Sequence, residues 1–172
     1  MEQITIGSLK GGTGCTTMTY CLALELGRRN PSKKILVVTT INFARYMFDL
    51  QGQERETLRG NKYNRYALEN IAFCTYGQRM SAIDLEKPDI LITDLGIVLK
   101  HYPIKPGEKL YYCYPTGDSL IEQIETSRDT SNGTVIKYPI ALLNTIQGAL
   151  TELPLQSMQE AITLGQTTKA YL

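Results

Sequence analysis

Apolar positions along this chain gather into short runs separated by polar, glycine- and proline-bearing stretches. The runs Ile4 to Ile6, Lys34 to Thr39, Ile71 to Thr75, Asp89 to Asp94, Lys109 to Tyr114 and Tyr138 to Asn144 are rich in β-branched and aromatic residues and predict strands. Elsewhere the apolar period lengthens. Met18 to Leu26 predicts a helix, closed by Gly27, Arg28, Arg29 and Pro31, the order in which helices stop. Asp118 to Thr126, with Leu120, Ile121 and Ile124 on one face, predicts another. Lys62 to Asn70, Ser81 to Glu86 (ended by Pro88) and Leu155 to Gly165 (after Pro154) are further predicted helices. Arg45 to Gly60 reads as a short helix and loop, Lys105 to Glu108 as a turn, and Asp129 to Gly133 as a loop.

Strands alternating with helices predict an α/β fold: a mostly parallel, twisted sheet flanked by helices on both faces, in a single compact domain over residues 1–172. Ligands of such sheets bind at the carboxyl ends of the strands. Four groups fall on that rim: the glycine-rich loop 8–17, Asn42, the pair Asp94 and Gly96, and Asn144.

The loop carries the strongest chemistry. It runs from Ser8 through Lys10, Gly11, Gly12, Thr13, Gly14, Cys15 and Thr16 to Thr17, between a predicted strand and a predicted helix, with Thr16 and Thr17 expected to cap that helix. Backbone N–H groups in such a loop converge on an anion, and the helix dipole favours negative charge there. The general phosphate loop ends in Gly-Lys-Ser/Thr, its lysine on the β- and γ-phosphates and its hydroxyl on Mg²⁺. Here Cys15 stands at the lysine position, while Lys10 sits at the front of the loop.

Lys10-Gly-Gly-x-Gly-x-Thr-Thr17 resembles the deviant Walker A loop of the MinD/ParA family of ATPases. The resemblance implies a P-loop NTPase-like three-layer sandwich, ATP or ADP with Mg²⁺ as cofactor, and dimerisation through the loop face with Lys10 near the partner's nucleotide. Asp94 resembles the Walker B aspartate and, with Thr16, is the implied metal site; Gly96 is placed to offer its N–H to a γ-phosphate. Thr40 to Asn42 falls where the family has Asp-x-Asp, so Asn42 replaces the carboxylate that activates water. Leu143-Asn144 resembles the family's base-binding Leu-Asn, and Leu153-Pro154 its late proline segment. The ending Asp94-Leu-Gly96 is similar to the pilus-positioning branch (CpaE/TadZ-like), whose phosphate loops are also degenerate. No cysteine follows Asp94 closely, which excludes the iron–sulfur branch.

The departures set the functional expectation. A charge-assisted hydrogen bond contributes about 1.5–3 kcal/mol, so loss of the loop lysine weakens binding roughly 10- to 150-fold. The transition state loses more, because charge develops on the phosphoryl oxygens. Asn42 orients water but takes no proton. A positioning, scaffold or regulatory module with weak or absent ATPase activity is therefore expected. The alternatives are a slow Mg-ATPase in which Lys10 folds back, and a nucleotide-free domain that binds protein or DNA. Cys15 reads first as a small residue tolerated after lysine was lost. As a thiol at a helix N-terminus it also admits a reactive, redox-active reading.

Composition narrows this little. Hydrophobic content of 42%, charged content of 20% and a net charge of +1 describe an ordinary globular chain, and the near-neutral charge disfavours DNA as partner. Four cysteines without C-x-x-C spacing, no leader pattern and no apolar run of membrane-spanning length predict a cytoplasmic protein with reduced thiols. Cys74 and Cys113 are expected in the core, and His101 on the surface.

Overall fold

The computed structural model describes residues 1–39, 56–57, 64–68, 70–97, 103–116 and 133–139, of which 56–57, 64–68, 138 and 139 are described by their backbone. The elements in chain order are β1 (Glu2–Ser8), α1 (Cys15–Arg29), β2 (Ile35–Thr39), β3 (Glu56–Thr57), β4 (Asn64–Leu68) and β5 (Ile71–Thr75). A 3-10 turn (Tyr76–Gln78) then leads into α2 (Arg79–Glu86), β6 (Ile90–Ile97), β7 (Glu108–Thr116) and β8 (Thr134–Pro139). The sheet order is β3-β4-β5-β2-β6-β1-β7-β8. From β5 to β8 every neighbouring pair is parallel; β4 and β3 extend the edge antiparallel. The fold is α/β with a mostly parallel sheet.

Alternation along the central strands explains the layering. Ile35 and Val37 of β2, Ile71 and Phe73 of β5, and Ile90 and Ile92 of β6 turn to one face and pack on α1 through Met18, Cys21 and Leu22. Leu36, Val38, Ala72, Cys74 and Leu91 turn to the other and pack on Ala82 of α2. Each face thus carries one described helix. Strands buried on both faces read as continuous apolar runs, which is why the sequence exposes them. At the β7 end, Leu110, Tyr112 and Tyr114 form a smaller cluster with Leu9, while Tyr111 and Cys113 face α1.

Several elements differ from expectation. The segment 64–68 is strand β4, not helix. Leu68 pairs with Ile71 and Tyr66 with Phe73 in a tight antiparallel hairpin, so pairing to a sheet edge overrides local helix propensity. The two-residue β3 lies inside a stretch expected to be helix and loop. Strand β8 begins at Thr134, on the β-branched run Thr134-Val-Ile136, earlier than the expected Tyr138. Helix α2 starts at Arg79, before Ser81, and ends on Lys87 in the left-handed conformation (φ 47°). The predicted helices 118–126 and 155–165, residues 140–144 of the predicted last strand, and His101 lie outside the described residues.

Helix α1 runs through Gly27 rather than stopping there, and is capped by Asn30. Gly27 is needed for close approach: a methyl group on it would come within 2.8 Å of Ile71 Cδ1. The neighbouring Asn70 ties this end together. Its Nδ2 donates to the carbonyls of Gly27 (3.3 Å), Asn30 (3.0 Å) and Lys33 (2.9 Å), and its own carbonyl accepts the Ile35 N–H (3.0 Å). Nearby, the Glu25 side chain is fully enclosed and clamped by Arg28 and Arg29. Arg28 donates from Nε and Nη2, both at 3.0 Å, and holds the Glu25 carboxyl below the ordinary carboxylate value.

Two outcomes are expected. Asn70→Ala strands the carbonyls its amide satisfies and lowers stability by about 1–3 kcal/mol, read as a lower urea midpoint at unchanged m. Glu25 has a depressed folded pKa, so its stabilisation is present above the ordinary value of 4.5 and is lost as pH falls through the lowered value. Urea titrations below pH 4.5 should therefore show a shallower fall in stability for Glu25→Gln than for the parent chain.

Candidate functional site: the glycine-rich loop and Asp94

Strand β1 ends at Ser8, and the chain turns through residues 9–14 before α1 begins at Cys15. Two glycines make this turn possible, Gly12 at φ 77° and Gly14 at φ 83°. A side chain at either would cost about 1–2 kcal/mol in that left-handed conformation. The front of the loop is braced internally. Ser8 Oγ accepts the Lys10 N–H at 3.0 Å and donates to the Lys10 carbonyl. The Leu9 N–H donates to the buried phenol oxygen of Tyr114 at 3.0 Å, pinning the turn to β7.

Gly14 is the N-cap, and its carbonyl accepts the Met18 N–H at 2.8 Å. No side chain caps α1, and its first turn carries no acidic residue. The expectation that Thr16 and Thr17 cap the helix is therefore corrected: both lie inside it. The reason is a stronger partner for Thr16, whose Oγ1 donates to Asp94 Oδ2 at 2.6 Å.

Asp94 is fully buried in β6 and satisfied by donors from three directions. Oδ2 accepts from Thr16 and, at 3.1 Å, from Thr39 Oγ1; Oδ1 accepts the Gly96 N–H at 2.9 Å. Three donors compensate a carboxylate removed from water. The pairing of β1 with β6 runs Ile6 with Asp94, then Gly7 with Gly96, so a bulge skips Leu95. Gly96 at φ 60° completes that bulge. The Gly96 N–H, expected to be offered to a γ-phosphate, donates to Asp94 in this structure.

Cys15 also departs from its reactive reading. Its thiol is buried, lies 3.4 Å from Thr13 Oγ1, and is pushed up to about 11. Burial is the main cause, and the nearby Asp94 charge adds to it. Desolvation outweighs the helix dipole, so the thiol is held protonated at neutral pH. Burial likewise pushes Cys74 to about 12 and Cys113 well above the usual thiol value. All four cysteines are free and buried.

The loop encloses a cleft of about 240 Å³ lined by Lys10 through Thr17, Gly96 and Ile97. Among the described residues lining it, Lys10 alone is charged. A second hollow of about 400 Å³ opens near the amino ends of β2 and β5, beside Lys33, Asn70 and Glu86, away from this rim. The structure thus brings together Lys10, Gly11, Gly12, Thr13, Gly14, Cys15, Thr16, Thr17, Asp94 and Gly96. Asn42, Asn144 and Pro154 lie outside the described residues. Thr39, Tyr114 and Ile97 were not anticipated. Thr39 is placed by strand register, which no local sequence pattern encodes: Val38 pairs with Thr93, which sets the next residue of β2 beside Asp94.

The chain matches no known protein family, and no curated protein is similar to it in sequence. No helix among the described residues is long and apolar enough to cross a membrane.

The thiol chemistry gives a direct expectation. In the native state at pH 7–8 all four cysteines should resist a thiol reagent, and all four should label in strong urea. Fast stoichiometric labelling of Cys15 in the folded protein would show a thiolate that burial does not suppress.

Proposed function

We propose that this chain holds the phosphate groups of a nucleotide, ATP or ADP with Mg²⁺, in a deviant Walker A loop akin to that of the MinD/ParA family, and acts as a positioning, scaffold or regulatory module with weak or absent ATPase activity. The observation that carries this reading is the cluster of half-buried Thr16 with buried Thr39 and Asp94 beneath a glycine-rich turn at a helix N-terminus. The donor set suits Mg²⁺. Thr16 lines the cleft and gives its proton to Asp94, so its hydroxyl oxygen keeps only acceptor capacity, as a cation requires. Mg²⁺ keeps several waters, and the enclosed Asp94 would hold the ion through one of them. The ion would neutralise phosphate charge when bound.

The weakness of catalysis follows from what lines the cleft. The place of the loop lysine is taken by a thiol packed on Thr13. No carboxylate or imidazole is among the described residues that line the cleft. The reading also implies a homodimer or heterodimer through the loop face, where Lys10 lies, and a cytoplasmic setting, which four free thiols suit. The position of Lys10 at the cleft supports one second reading, a slow Mg-ATPase that uses this lysine. Loss of turnover in both Lys10→Ala and Asp94→Ala would favour it.

Isothermal titration of Mg-ATP and Mg-ADP into the parent chain and into Cys15→Lys tests the first reading. The parent should bind weakly, and the variant about 10- to 150-fold more tightly, the equivalent of about 1.5–3 kcal/mol. Binding by neither protein would point instead to a nucleotide-free interaction domain.

A further inference from the structure

We infer that Thr39 is a positioning residue for the metal: its hydroxyl aims the Asp94 carboxylate at Thr16, and so sets how much Mg²⁺ adds to phosphate binding. This rests on the phosphate-binding reading above, and its test separates the failure of one from the failure of the other.

Three donors hold Asp94, and they are not equivalent. Thr16 lines the cleft, so its Oγ1 is the group a cation there would meet. The Gly96 N–H belongs to the same strand, two residues on, and travels with the carboxylate it binds. Thr39 belongs to neither the loop nor β6. It is the last residue of β2 and is 1% exposed. Its Oγ1 donates to Asp94 Oδ2 at 3.1 Å, the same oxygen that accepts from Thr16 at 2.6 Å. Strand β2 is fixed on both sides at this point, by the pairing of Thr39 with Thr75 of β5 and of Val38 with Thr93 of β6. The Thr39 hydroxyl is therefore held by the sheet, whereas the Thr16 hydroxyl is carried by the helix that follows the loop.

That division gives Thr39 its role. Two donors on one oxygen, from different elements, fix where the lone pairs of the carboxylate point. With Oδ2 tied to β2, Asp94 stays aimed at Thr16, whose hydroxyl gives its proton there and keeps acceptor capacity for a cation. Without the Thr39 hydroxyl, one lone pair of a fully enclosed carboxylate is unmatched, and the group is free to turn in search of a donor. Groups that orient the ligands of a metal from behind typically contribute about 10- to 100-fold to metal affinity. Thr39 is not among the residues that line the cleft, so its contribution reaches a ligand there through Asp94.

Isothermal titrations of ADP and ATP into the full chain, each in Mg²⁺ and in EDTA, test this. The readout is the ratio of the affinity in Mg²⁺ to the affinity in EDTA. Thr39→Val keeps the shape of the side chain and removes the hydroxyl; Thr39→Ser keeps the hydroxyl. The ratio should fall about 10- to 100-fold in Thr39→Val, or to unity where the parent ratio is smaller than that, and stay near the parent value in Thr39→Ser. Thr39→Ala is the second hydroxyl-free variant, used if Thr39→Val does not fold. A merely structural threonine would lower the melting temperature and both affinities together. An unchanged ratio in the hydroxyl-free variant, or an equal fall in Thr39→Ser, would therefore overturn the inference. A ratio of unity in the parent chain would overturn the metal site and this inference while leaving phosphate binding intact. No binding of either nucleotide, in the parent chain and in Cys15→Lys alike, would overturn the phosphate reading and this inference with it.

Discussion

A carboxylate removed entirely from water is the constraint around which this fold is arranged. Asp94 keeps its place because a helix, a neighbouring strand and its own backbone each supply a donor. That requirement fixes the register of β6 against β1 and β2, makes the bulge at Leu95, and draws the first turn of α1 down onto the sheet. The glycine-rich turn is the connection that allows α1 to start so close to that carboxylate. Loss of any one donor would leave the others sharing an incompletely solvated charge.

The same contact explains why the threonines at the start of α1 do not behave as caps. An isolated helix would use Thr16 to satisfy its own N–H groups. Here a charged acceptor at 2.6 Å is the stronger partner. Cys15 shows the complementary balance. The dipole of α1 favours a thiolate at its N-terminus, but the side chain is directed into the core, where desolvation wins.

What was legible in the sequence follows the same physics. Strands buried on both faces must be continuously apolar, so β2, β5 and β6 were visible as runs, and the loop was visible through its glycines. The edge was not: β4 is a short mixed segment that becomes a strand through pairing with β5, which no local pattern encodes. Gly27 looked like a helix stop because glycine usually is one; its actual role, clearance for Ile71, depends on a neighbour more than forty residues away. Thr39 and the occupied Gly96 N–H were hidden for a related reason, since both are set by inter-strand register. Asn42 and Asn144, read from motif position, fall outside the described residues.

Helix α1 is anchored at both ends. Its N-terminus is tied to Asp94 and its C-terminus to Asn70, at opposite rims of the sheet. Fifteen residues at about 1.5 Å each make a strut of roughly 22 Å between those ties. A closely packed helix is nearly incompressible along its axis. Axial movement at the glycine-rich turn is therefore passed along α1: it either breaks the Thr16 contact or presses on Asn70, at the start of β5, so the two ends of this helix are mechanically coupled.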